Sequence, residues 1–156
     1  MSHLESIPIA AVGQIKVVSV DYRMAPEARF PAATEDVVAV YRQLLSRYRP
    51  HNIGIYGCST GGLLTAQTVA LLRKEHLPLP GAVGLFCTGA SDVGTGVSSV
   101  IAHATDGTPM DEFAKYLVYF ENTRADEPCA FPGRSDAVMS AFSALSAHHR
   151  HSRSRS

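Results

Sequence analysis

The segment that most limits what this chain can fold into runs from Ile53 to Gly89. It holds an apolar run, "IGIY", then the glycine-rich "GCSTGG", then "LLTAQTVALLRKEH", and then a second apolar run, "AVGLFCTG", from Ala82 to Gly89. A strand, a helix and a strand in this order predict a parallel pair joined by a crossover, because parallel strands cannot be linked by a tight hairpin. Upstream, "IKVVSVDY" from Ile15 to Tyr22 is β-branched and nearly continuous, which predicts a strand covered on both faces. "AATEDVVAVYRQLLSRY" sets Val37, Val40, Tyr41, Leu44, Leu45 and Tyr48 at helical spacings. Its acids Glu35 and Asp36 stand at the start and Arg42, Arg47 and Arg49 toward the end, an arrangement that suits the helix dipole. Strand, helix, strand, helix, strand predicts the α/β class, with a mostly parallel sheet flanked by helices.

Beyond Gly89 the pattern weakens. "MDEFAKYLVYFEN" predicts a helix between a polar loop and the loop-like "TRADEPCAFPGRSDAVMS", and "AHHRHSRSRS" has no apolar periodicity. The expected organisation is one domain over residues 1–140 followed by a polar, disordered tail over 141–156. A length of 156 residues suits one domain with its own core. A formal net charge of +0 gives no reason to expect nucleic acid or an acidic surface as a partner. No apolar run approaches the roughly 20 residues of a membrane span, and "MSHLESIPIAAVGQ" has neither a basic leader nor a cleavage site. The expected setting is therefore cytoplasmic. Cys58, Cys87 and Cys129 are odd in number and lack metal-ligand spacing, which predicts reduced thiols serving as small core residues.

The chemistry centres on Ser59. A serine at a strand-to-helix turn, with Gly57 and Gly61 two positions away on each side and Gly62 next, fits the G-x-S-x-G nucleophile elbow. A serine hydroxyl needs a base to take its proton, and the developing oxyanion needs preorganised donors. The turn serves both by lifting the hydroxyl off the sheet edge while the following helix aims its free N–H groups at the reacting centre. The backbone N–H of Thr60 is the expected donor, and Gly57 and Gly61 are expected to remove side chains that would collide there. Cys58 is expected to point away from the nucleophile and to pack.

These residues reach a resemblance. "VVSVDYRMAPEARFPAATEDV" followed by "IGIYGCSTGGLLTA" resembles the hormone-sensitive-lipase-like branch of the α/β-hydrolase fold, a group of carboxylesterases and lipases. Asp21 to Glu27, Phe30 to Ala33, and Glu35 with Asp36 carry that group's motifs at its usual spacing ahead of the serine. The resemblance runs from Ile15 to Gly89 and continues more weakly through "KYLVYFENTRADEP". It implies an ester hydrolase that forms an acyl-enzyme on Ser59 from a small-molecule ester, with no metal or organic cofactor.

The same family carries a His-Gly-Gly-Gly oxyanion loop before the Asp-Tyr-Arg block, and this chain has no such segment, so it looks truncated there. In the family's sheet order a strand lies between the strand ending at Tyr22 and the strand ending at Cys58. Without it, two rows of backbone groups are expected to lack partners unless the neighbours close up, and exposed edges invite self-association. The triad order is serine, acid, histidine. The acids that follow Ser59 are Asp92, Asp106, Asp111 and Asp126, and the histidines are His103, His148, His149 and His151; none stands in the family's acid or histidine context. His103 follows the third predicted strand and is the candidate base. Shifted by one base, suitable codons for Ala147 to Ser154 would read His-Ile-Thr-Gly-Thr-Arg-Asp, which resembles the family's acid-bearing strand; the alternative is a natural polar tail. The rival to an esterase is therefore a non-catalytic hydrolase that self-associates.

Overall fold

Amphipathic spacing and end charges decide where the helices form. A computed structural model describes residues 3–88 and 116–142. Helix α1 spans His3–Gly13 and carries Pro8 inside it. Helix α2, Ala32–Leu45, has Glu35 in its first turn and Arg42 in its last, which places each charge at the end of the dipole that favours it. Strand β1 is Gly54–Cys58, helix α3 is Thr60–Lys74 and strand β2 is Ala82–Phe86. β1 and β2 pair in parallel, from Gly54 opposite Ala82 to Cys58 opposite Phe86, with α3 as the crossover. The expected α/β class, a parallel sheet flanked by helices, is what the chain adopts.

The core lies between the helices and β1. Val38, Tyr41, Ile53 and Leu72 form one buried cluster, and Leu44, Ile55 and Leu79 pack against it. The Tyr41 hydroxyl donates to the Pro78 carbonyl at 2.9 Å. Burial pushes its pKa up to about 12. Helix α3 is buried from Gly62 through Ala70 and again at Leu72. Within it Gln67 joins three segments: it accepts from the Thr34 hydroxyl at 3.1 Å and donates to the Ala130 carbonyl at 2.9 Å. Buried polar atoms without partners would be costly, so this chain of bonds lets polar side chains sit inside the helical layer.

Two sequence expectations require correction. Ile15 to Tyr22 is not a strand: no ladder is formed there among the described residues, and Ile15 and Val18 are 56% and 44% exposed. β-branched residues favour an extended chain, but a ladder also needs a neighbouring edge. The neighbours have not closed up. Val20 and Tyr22 line the same cleft as Ile55 and Ser59, a space of about 1060 Å³ bounded also by Val40 and Tyr41 of α2.

The second correction falls at the loop-like 123–140. A short 3-10 turn occupies Pro132–Arg134, and a helical segment follows over 136–142. The Ser135 hydroxyl accepts from the Val138 N–H at 3.4 Å, and Val138 and Ala141 are buried three residues apart. A serine cap ahead of a short apolar stripe is a helix start. Of the helix expected over "MDEFAKYLVYFEN", the described part is a 3-10 turn at Tyr116–Phe120. Residues 143–156, which hold most of the expected tail, lie outside the described residues.

Candidate active site

Ser59 sits where β1 meets α3, and its backbone is what distinguishes the turn. It has φ 53° and ψ −120°, a region that residues with a side chain rarely occupy. The turn is held on both sides. The Ser59 N–H donates to the Phe86 carbonyl of β2 at 2.9 Å, and the Ser59 carbonyl accepts from Gly62 and Leu63 at 3.0 and 3.2 Å. The Ser59 side chain is exposed and lies on the wall of the cleft. Thr60 begins α3, so its N–H has no acceptor within the helix.

The three glycines do not share one role. A Cβ at Gly57 would overlap the Gly61 carbonyl group and approach the Gly62 nitrogen at 2.7 Å, so the strand end and helix start cross with no room for a side chain. A Cβ at Gly62 would overlap the Thr88 methyl and lie 3.0 Å from the Gly57 carbonyl oxygen. A Cβ at Gly61 would meet nothing within 4 Å. The expectation that Gly61 relieves a collision is therefore corrected: its surroundings are open.

Among the expected acids, Asp126 is the one that is described. It is exposed and held by Arg124, whose Nε and Nη2 donate to the carboxylate at 2.9 and 2.6 Å. That guanidinium keeps the carboxyl below its usual range, and the pair is a local one two residues apart. Asp92, Asp106, Asp111, His103, His148, His149 and His151 lie outside the described residues. Among the described residues no group of three His, Cys, Asp or Glu side chains could hold a metal ion, and no helix is long and apolar enough to cross a membrane.

Two features of the site's surroundings were not read from the sequence. Arg23 grips Asp36: its backbone N–H and Nε donate to the carboxylate at 2.9 and 3.0 Å, and its Nη2 donates to the Ala32 carbonyl at 3.2 Å. Glu35 lies 3.5 Å from the same guanidinium. The Asp-Tyr-Arg block and the Glu35-Asp36 pair are thus two halves of one clip that ties the loop after Tyr22 to the first turn of α2. Their opposite charges, 12 and 13 residues apart, were the available signal. The cysteines are the other feature. Cys129 is buried as expected, but Cys58 is half-buried and Cys87 is exposed. A hydrogen bond with Cys87, then burial, pushes the Cys58 thiol up.

The family model for the alpha/beta hydrolase fold matches residues 6–147. This chain belongs to the α/β-hydrolase fold family. Within it, the chain is a hormone-sensitive-lipase-like member. It is 34% identical over 142 residues to an acetyl-hydrolase of Streptomyces hygroscopicus, covering 86% of this chain and 46% of that protein. The crystal structure of an esterase/lipase from an uncultured bacterium superposes with a TM-score of 0.68 at 33% identity, over 80% of this chain and 42% of the other. An esterase from the bacterial hormone-sensitive lipase family gives a TM-score of 0.59 at 34% identity, over 72% and 39%. The chain therefore spans less than half the length of these relatives.

Proposed function

We propose that this chain is a carboxylic ester hydrolase in which Ser59 is the nucleophile of a G-x-S-x-G elbow. The observation that carries the reading is the Ser59 backbone at φ 53° and ψ −120° between β1 and α3, a strained conformation of the kind that persists where function needs it. The Ser59 hydroxyl attacks the ester carbonyl, the alcohol leaves, and water releases the acyl group from the serine. The Thr60 N–H, at the positive end of α3, faces the developing oxyanion. His103 is the candidate to take the serine proton. The Streptomyces relative is named an acetyl-hydrolase, which favours short acyl groups, and the reading requires no metal or organic cofactor. The setting we propose is cytoplasmic, with a small-molecule ester as the substrate.

A second reading has its own observation. Among the described residues β1 is paired on one side only, and its region faces the apolar cleft of about 1060 Å³. An unpaired strand edge beside apolar surface favours association of two copies without catalysis.

Hydrolysis of a short-chain p-nitrophenyl ester by the full chain, beside Ser59→Ala and His103→Ala, tests the first reading. The expected outcome is turnover lost in Ser59→Ala and reduced at least tenfold in His103→Ala. Equal rates in the parent and Ser59→Ala reject the esterase, and concentration-dependent light scattering then supports the associating form.

A further inference from the structure

Cys58 and Cys87 lie at the ends of two paired strands, one on each side of the hydrogen bond that fixes Ser59. Cys58 is the last residue of β1 and is opposite Phe86, so Cys87 is one residue further along the neighbouring chain. Parallel strands about 4.8 Å apart with a rise of about 3.3 Å place such a diagonal pair about 6 Å apart at Cα. That falls inside the window of roughly 4.4 to 6.8 Å that a disulfide bridges. In an unbroken pleat the two side chains would still face opposite sides of the sheet. Cys87 departs from the pleat, with φ 54°, which releases its side chain from the opposite face, and Cys87 is the first cause that pushes the Cys58 thiol up. Cys87 is exposed and Cys58 half-buried, whereas Cys129 is buried with Ala70 and Val138.

We infer that Cys58 and Cys87 form a reversible intramolecular disulfide, a modification site beside Ser59 that takes a small-molecule disulfide of the glutathione type as its oxidant. The exposed Cys87 thiolate attacks one sulfur of the small disulfide, forming a mixed disulfide and releasing one small thiolate. The Cys58 thiolate then attacks the Cys87 sulfur and releases the second. The two protein thiols lose two electrons and two protons, and one small disulfide becomes two thiols. The bridge ties the C-terminal ends of β1 and β2 across the Ser59 N–H to Phe86 carbonyl bond. The inference does not depend on Ser59 being a nucleophile.

The test is incubation of the full chain with oxidised glutathione, followed by alkylation, intact mass and peptide mapping. Of the three cysteines, only Cys129 is expected to remain alkylatable. The mapped peptides are expected to be joined through Cys58 and Cys87, and excess dithiothreitol is expected to restore all the thiols. Cys129→Ser should keep the bridge and Cys87→Ser should abolish it. If Cys87→Ser fails to fold, Cys129→Ser and the parent peptide map decide alone. Glutathione retained on Cys87 without a cross-link, a bridge between two chains, or a bridge that includes Cys129 would each overturn the inference.

Discussion

The helical layer and the sheet edge are built from similarly apolar sequence, yet they differ in how completely they are satisfied. In the layer, α2, α3 and residues 129–142 bury Val38, Tyr41, Leu72 and Val69 to within a few per cent of full burial. Their inner polar groups are tied off through Thr34, Gln67 and Ala130. At the edge, the run from Ile15 to Tyr22 is richer in β-branched residues than either helix, but it joins no ladder among the described residues and leaves Val18 44% exposed. A helix satisfies its own backbone and needs a neighbour only for one face. A strand needs a neighbour for its backbone as well, so its local preference counts for less when that neighbour is not adjacent.

The contrast can be broken directly by deleting apolar atoms from each region. Leu72 is fully buried in the cluster shared by α2, α3 and β1. Leu72→Ala should destabilise the chain by about 2–5 kcal/mol, read as a fall in the midpoint of urea unfolding. Val18→Ala should stay within about 0.5 kcal/mol of the parent, as substitutions outside packed features do. If Val18→Ala cost as much as Leu72→Ala, the run from Ile15 to Tyr22 would be packed in solution and the contrast would fall.

The same difference explains how much was legible. Helix α2, β1, α3 and β2 follow from periodicity, because each element's pattern is set by residues within the element. Ile15 to Tyr22 was misread because a continuous apolar run reports a preference for extension and says nothing of whether an edge is available. The helical start at 136 was missed because its apolar stripe is short, and Ser135 as its cap was the stronger signal. At the turn, the glycines, Ser59 and Thr60 were legible as a motif, but the open space beside Gly61 was not, since spacing alone does not distinguish a glycine that prevents a clash from one that does not. The nearness of Cys58 and Cys87 depends on strand register and on a positive φ, neither of which the residues declare.

The turn itself offers a sharper version of the comparison, within five residues. At Gly57 a Cβ has nowhere to go, because the groups it meets are the backbone of Gly61 and Gly62, and backbone cannot rotate aside as a side chain can. Gly57→Ala should therefore cost about 1–3 kcal/mol, the range for forced overpacking, and should distort the path from β1 into α3. Gly61 is in α3 with open space around its would-be Cβ. There, alanine should be neutral or should stabilise by up to about 1 kcal/mol through its better helix propensity. Thermal unfolding of the two variants side by side checks this. Equal losses would mean that Gly61 is as confined as Gly57.

The smallest expected effect concerns the clip that joins the two regions. The Arg23 guanidinium, through its hydrogen bonds, holds the Asp36 carboxyl below its ordinary value of 3.8. A carboxyl with a depressed folded value binds its proton less readily in the folded state than in the unfolded one, so the unfolded chain carries the extra proton on the acid side. The stabilisation is thus fully present above about pH 4, and it declines as pH falls through the folded value. Arg23 is more than half exposed, with 56% of its side chain open to solvent, so solvent screens the pair and the contribution is modest. Thermal midpoints of the parent should fall more steeply below pH 4 than those of Asp36→Asn, and high salt should narrow the gap. Identical slopes for the two chains would mean that hydrogen-bond geometry, rather than charge, holds the loop after Tyr22 against α2.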